Sequence, residues 1–170
     1  MTASTELLSD AFGRIHDVVH RVIDGLTVDD LAKRVDDDAN SIAWLLWHLT
    51  RVQDDHIAEV AGGEQLWTSD GWADRFGLPF SADETGYGQS SSDVGEVSGV
   101  SGELLAGYYD AVHERTIRFV EGLDDADLDR VVDTRWDPPV TLGVRLVSVI
   151  SDDLQHAGQA AFVAGMLKRR

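Results

Sequence analysis

The chain has 170 residues, 43% of them hydrophobic, with 31 Asp and Glu against 14 Lys and Arg for a formal charge of −17, and it has no cysteine. Such a length fits one domain with one buried core, and the acidic surface would repel a phosphate backbone everywhere but at the small basic tail Lys168, Arg169 and Arg170, which argues against nucleic-acid binding. Without cysteine there are no disulfides, no thiolate metal sites and no cysteine nucleophile, so a metal can be held only by His and carboxylate.

From Thr2 to Asp24 the apolar residues Leu8, Phe12, Ile15, Val19 and Val22 recur at steps of three and four, the signature of one helical face. Gly25 stands where such a helix ends, and Thr27 caps a short turn holding Leu31. Neither this N-terminus nor any later stretch is apolar enough for a signal peptide or a membrane span, so a cytoplasmic protein without membrane contact is expected. After the polar loop from Asp36, Asn40 or Ser41 caps a second long helix. Its expected inward stripe is Ile42, Leu45, Leu49, Val52, His56 and Val60, and Gly62 and Gly63 stop it.

Glu64 to Ser101 is long for a connection, and the segments SDGWADRFG and SSDVGEV within it each predict a helical turn. A third long helix is predicted over 102–121, with Leu105, Tyr108, Val112, Thr116, Phe119 and Val120 on one side and Gly122 at its end. Val131 to Val140 contains Pro138 and Pro139 and reads as extended. A last helix runs from Thr141 to about Leu167, with Leu142, Leu146, Val149, His156, Ala160 and Val163 facing in. Four long helices without convincing strands predict an all-α fold, an antiparallel four-helix bundle with a long crossover between the second and third.

An internal echo supports two similar hairpins. Gly25, Leu26 and Leu31 recur as Gly122, Leu123 and Leu128 at a constant offset of 97. Aligning the caps Ser41 and Thr141 then makes His48, Val52 and His56 equivalent to Ser148, Asp152 and His156. Asp152 and His156 are four apart, so they leave one helical face about 5 to 6 Å apart at Cβ. If the hairpins pack about a pseudo-twofold axis, His48 comes opposite the Asp152 turn. One carboxylate and two imidazoles leave an open coordination position, as in catalytic zinc sites.

Each of these residues also has an ordinary reading. Asp152 and His156 at this spacing describe a weak surface pair, and His48, flanked by Trp44 and Trp47, describes a core histidine donating to a backbone carbonyl. His56, between polar neighbours, is expected to face solvent or an Asp rather than a metal. His16, His20 and His113 show no partner at a metal spacing, and Trp44, Trp47, Trp67, Tyr108 and Tyr109 read as core. The segment Gly86, Tyr87, Gly88, Gln89 lacks the helix cap and Lys of a phosphate loop, and Ser90 to Ser92 has no His base at a hydrolase spacing.

The stretch SIAWLLWHLTRVQDDHI, followed near the C-terminus by a carboxylate, three residues and HAGQAAF, resembles the DinB-like superfamily. In particular it is similar to the metal-binding domain of mycothiol-dependent maleylpyruvate isomerases and their actinobacterial relatives, over nearly the whole chain. The resemblance implies a single DinB-like four-helix-bundle domain over 1–170, binding a divalent metal through His48, Asp152 and His156. Asp152 stands where the isomerases have Glu and many DinB-like proteins have His, and its side chain is one methylene shorter than Glu.

Two functions from different classes follow. The first is an enzyme in which a divalent ion, Zn in the first place with Ni, Fe or Mn also suited to the donor set, activates a small mycothiol-type thiol or a water for transfer or isomerisation on a small electrophile. The second is a non-catalytic binding or stress-response protein whose metal is structural or absent. The resemblance also implies a homodimer through bundle faces.

Overall fold

A computed structural model describes residues 2–169. Each long helix begins where a hydroxyl side chain can accept an otherwise unpaired backbone N–H. Thr2 and Thr5 form a reciprocal cap on α1 (Ala3–Ile23), which buries Phe12, Ile15, Val19 and Val22, while Leu8 is only partly covered. Thr27 caps α2 (Val28–Ala32) in the same way, and Leu31 is the buried residue of that helix. Ser41 accepts from the Trp44 N–H at 3.1 Å to start α3 (Ile42–Ala61), and Gly62 ends it in the left-handed conformation with φ of 67°.

The crossover holds α4 (Leu66–Ser69), α5 (Trp72–Phe76) and α6 (Ser91–Glu96), the last two at the segments where helical turns are predicted. Then come α7 (Gly102–Glu121), capped by Ser101, and α8 (Leu142–Leu167), capped by Thr141. Between these two lies an element that helical periodicity does not reveal. Val131–Asp133 forms β1 and Val140–Thr141 forms β2, an antiparallel ribbon with Val131 opposite Thr141 and Asp133 opposite Val140. The expectation of no strands is corrected to that extent, and the chain is otherwise mainly helical.

The long helices pack most extensively as α3 on α8, with α1 on both α7 and α8 and α3 on α7. The main core joins Phe12, Ile15, Leu45, Trp47, Val112 and Ala160, and a smaller cluster gathers Ile57, Val60, Leu142 and Leu146. The one-sided stripe expected for α3 is too narrow. Every residue from Ile42 to Arg51 is buried, because the crossover covers the outer side of the helix. There Trp47 meets Phe80 and Trp67 at ring-centroid distances of 5.4 and 6.3 Å.

Two charged residues of α3 attach the crossover. The Arg51 guanidinium, fully buried, donates to the carbonyls of Glu84 at 3.1 Å and Ala82 at 3.0 Å and to Gln65 Oε1 at 2.6 Å. Its face lies over the Trp67 ring, 4.9 Å from the centroid. The buried Asp54 carboxylate accepts from the N–H groups of Leu66 at 3.0 Å and Trp67 at 2.8 Å, the orphan donors at the start of α4. It also accepts from the Tyr108 hydroxyl at 2.8 Å, tying α7 to the same point. Burial, and then the neighbouring Asp54 charge, push the Tyr108 hydroxyl well above the ordinary tyrosine range.

The β-ribbon is fixed to α8 through Asp133. Its carboxylate accepts from Arg135 Nε at 2.9 Å and Arg135 Nη2 at 2.8 Å, and from Arg145 Nη2 at 3.4 Å. These contacts, Arg135 foremost, hold the Asp133 carboxyl far below its usual range.

Replacing Asp54 with Ala strands the Arg51 charge and two amide donors in the interior. By analogy with other broken buried pairs, Asp54→Ala is expected to lower the unfolding free energy by about 3 to 5 kcal/mol, measured by urea denaturation. Because the Asp133 pKa is depressed in the folded chain, its contribution is complete above the unfolded carboxyl value of 3.8 and is lost as pH falls below it. Acid unfolding of Asp133→Asn should therefore show a shallower fall in stability below that pH than the parent chain.

Candidate metal centre

His48 lies two turns inside α3, in the helix's most apolar stretch, and is 3% exposed. Its Nδ1 is 2.5 Å from the Thr85 carbonyl oxygen. A carbonyl can only accept, so Nδ1 carries the proton and Nε2 keeps its lone pair. The ring stacks on Trp44 with centroids 4.6 Å apart and planes 13° from parallel. Trp44 in turn donates from Nε1 to Gln89 Oε1 at 2.8 Å, closing the loop over the site.

Across the α3 and α8 contact, the His156 ring stands nearly perpendicular to that of His48, with centroids 4.6 Å apart and planes at 74°. His156 Nδ1 donates to the Asp152 backbone carbonyl one helical turn back at 2.8 Å, so in the neutral ring Nε2 is the free acceptor. Asp152 Oδ2 is 3.3 Å from that Nδ1, but the N–H is aimed at the carbonyl. The oxygen is buried and has no hydrogen-bond partner among the described residues. One ligand-type atom from each of His48, Asp152 and His156 lies within 4.8 Å of the other two. The three residues singled out from sequence are thus brought together, and the core and metal-ligand readings of His48 are compatible: one ring nitrogen serves the carbonyl, the other is free.

The protonation balance within the group follows from its geometry. Burial drives the His48 imidazole below its ordinary value, helped by His156. For His156 burial works in the same direction, but the adjacent Asp152 carboxylate and carbonyl outweigh it and raise the imidazole. Asp152 is the converse case: burial raises it, while His156 and more weakly His48 and His56 prevail and lower it.

His56 corrects its expectation. It is half-buried, and Arg145 Nη1 stands 3.0 Å from its Nδ1, so the guanidinium donates and the imidazole accepts. Arg145 also pairs with Glu59. Burial and then the Arg145 charge lower the His56 pKa. A cavity of about 550 Å³ opens beside these groups, lined by Asp152, His56, Thr85, Arg135 and Tyr87 among others.

Sequence reasoning missed three contributors. Thr85 acts through its backbone, which has no residue signature. Gly86 is placed so that a Cβ would come within 2.8 Å of His48 Nδ1 and 3.0 Å of Trp47. Its φ of +93° also favours glycine. The glycine itself was the available signal, since a glycine beside aromatic and His neighbours marks a close backbone approach. Asp153, adjacent to Asp152, is fully buried with both carboxylate oxygens lacking partners among the described residues. Burial, and then the Asp152 charge, push its pKa well up. His16 and His20 correct the reading that they have no partner at a metal spacing: they are four apart on α1 and both contact Asp110 of α7.

Gly86→Ala is expected to lose about 1 to 3 kcal/mol from backbone strain alone and more from collision with His48. Gly88→Ala, with φ of +73° and open space around it, carries only the strain. Denaturation of the two variants, with the His48 ring resonances followed by NMR, separates the two effects.

Comparison with known proteins identifies the family and the fold. The sequence profile of the DinB superfamily matches residues 11–160. The fold is similar to a crystal structure of a conserved protein from Enterococcus faecalis, with a TM-score of 0.92 and 29% sequence identity, covering 100% of this chain and 99% of that one. A search of curated proteins finds no match. The chain belongs to the DinB superfamily.

Proposed function

We propose that His48, Asp152 and His156 hold a divalent metal and that this centre activates a small thiol or a water against a small electrophile. The observation that carries the proposal is the orphaned, buried Asp152 Oδ2 facing two imidazoles whose Nδ1 protons are both committed to carbonyls. Metal-ligating histidines are oriented in this way, with the second nitrogen donating to an outer acceptor. DinB superfamily membership supports the reading, since its members often bind metal. The proposal treats residues 1–170 as one domain, an antiparallel four-helix bundle whose long connection crosses between the second and third long helices.

The donor set of two nitrogens and one oxygen suits Zn²⁺ first, with Ni, Fe and Mn alternatives within the same chemistry. Such an ion lowers the pKa of a bound water to about 7 and deprotonates a bound thiol. The chain's own residues do the rest. Trp44, stacked on His48, and the loop at Thr85 exclude water from one side of the site. The cavity beside Asp152 admits the reactants from the other. Within it Arg135 and Tyr87 lie where they can meet an anionic or aromatic group, and Arg145 occupies the Nδ1 side of His56. A mycothiol-type thiol fits the resemblance of the sequence to the isomerase domains, and a cytoplasmic protein with the thiol and electrophile as its partners, working as a homodimer, completes the reading.

Protein purified without a His-tag is expected to carry close to one equivalent of metal at this centre, measured by elemental analysis, and His48→Ala or Asp152→Asn should lose it. Free metal at a hundredfold excess over its Kd should add about 2.7 kcal/mol of stability to the parent chain, read as a rise in Tm, and little to His48→Ala. Turnover is tested on metal-loaded protein with a panel of thiols and electrophiles. Full loading with no turnover across the panel would sink the catalytic reading and leave a structural metal in a binding protein.

A further inference from the structure

On α1, His16 and His20 are one turn apart, and both direct Nε2 at a single oxygen of Asp110 on α7, at 3.1 and 2.6 Å. The rings of His16 and His20 have centroids 4.4 Å apart, and His113, on α7, brings a third ring to 4.6 Å from His16. His113 Nδ1 is buried with no hydrogen-bond partner among the described residues. Asp17 Oδ1 lies 3.9 Å from His16 Nδ1, on the far side of that ring from Asp110. We propose that His16, His20 and Asp110 form a second divalent-cation site, taking Zn²⁺ or a similar borderline ion and clamping α1 to α7.

The chemistry follows from the donors. One ligand atom from each of the three residues lies within 4.8 Å of the others, the same criterion met by the first centre. A histidine pair at a spacing of four on one helix presents two nitrogens to one ion, and a carboxylate from the facing helix completes a three-ligand set with an open side. The side chains of His16, His20 and Asp110 are 34%, 41% and 47% exposed, so water fills the remaining positions. Three of the chain's six histidines gather here, in an acidic protein that attracts cations. Both imidazoles converge on one carboxylate oxygen, so a single ion seated between them meets donors from both helices.

The placement extends the internal echo. His16 and His113 are themselves equivalent at the offset of 97, each nine residues before Gly25 or Gly122. The first cluster therefore joins the second helices of the two hairpins, α3 and α8, and this one joins the first helices, α1 and α7.

The test is a zinc count on tag-free protein after equilibrium dialysis against micromolar Zn²⁺, with folding checked by circular dichroism. The parent chain is expected to bind two equivalents. His20→Ala/Asp110→Asn, both half-exposed positions outside the buried core, should bind one. The folded His48→Ala/His156→Ala variant should also bind one, and the combination of all four none. Retention of the parental stoichiometry in His20→Ala/Asp110→Asn overturns the clamp. So does a folded His48→Ala/His156→Ala variant that binds nothing. If only the first centre is misread, the parent binds one equivalent and His20→Ala/Asp110→Asn none, so the two failures are distinguishable.

Discussion

The arrangement depends on two charges buried where α3 meets the crossover. Arg51 and Asp54 carry no direct hydrogen bond to each other, their nearest charged atoms being 3.9 Å apart. Each is instead saturated by groups of the crossover and of Tyr108. Taking such charges out of water is unfavourable unless every donor and acceptor is met. Here that requirement becomes positional: Arg51 is satisfied only when the carbonyls of Ala82 and Glu84 lie against α3. The next residue, Thr85, then delivers its own carbonyl to His48, one helical turn before Arg51.

Seen this way, the crossover positions the centre as much as the long helices do. α3 and α8 supply the imidazoles and the carboxylate, and their packing fixes the distance between the rings. Which nitrogen of each ring is free is decided by carbonyl oxygens, one from the crossover and one from the preceding turn of α8. Asp153 beside this group shows the opposite balance: burial and the Asp152 charge push its pKa up, whereas the imidazoles facing Asp152 lower that of Asp152.

Much of this was legible in the residues. Ser41, Ser101 and Thr141 announce helix starts because a hydroxyl accepting an early N–H is a local event, and Gly62 announces an end for an equally local reason. His48 and Asp152 were found because the two hairpins repeat, which converts a long-range contact into an alignment. The contacts that escaped lack either property. Arg145 reaches His56 from 89 positions away with no repeat to align them. Asp110 meets His16 and His20 only once α7 is laid on α1. The β-ribbon is too short for alternation to show, and position 153 sits on the inward face of α8 between Val149 and Ala157 but carries an acid, which reads as solvent-facing.

The contact between the crossover and His48 uses only main-chain atoms: a carbonyl from Thr85 and a residue at Gly86 with no side chain. The residues around it can therefore be exchanged without re-aiming the imidazole. Tyr87, almost wholly exposed at the rim of the cavity, is one such place. A scaffold so wired separates the part that prepares the chemistry from the part that chooses the molecule, and lets descendants diversify in what they accept while the reactive centre stays put.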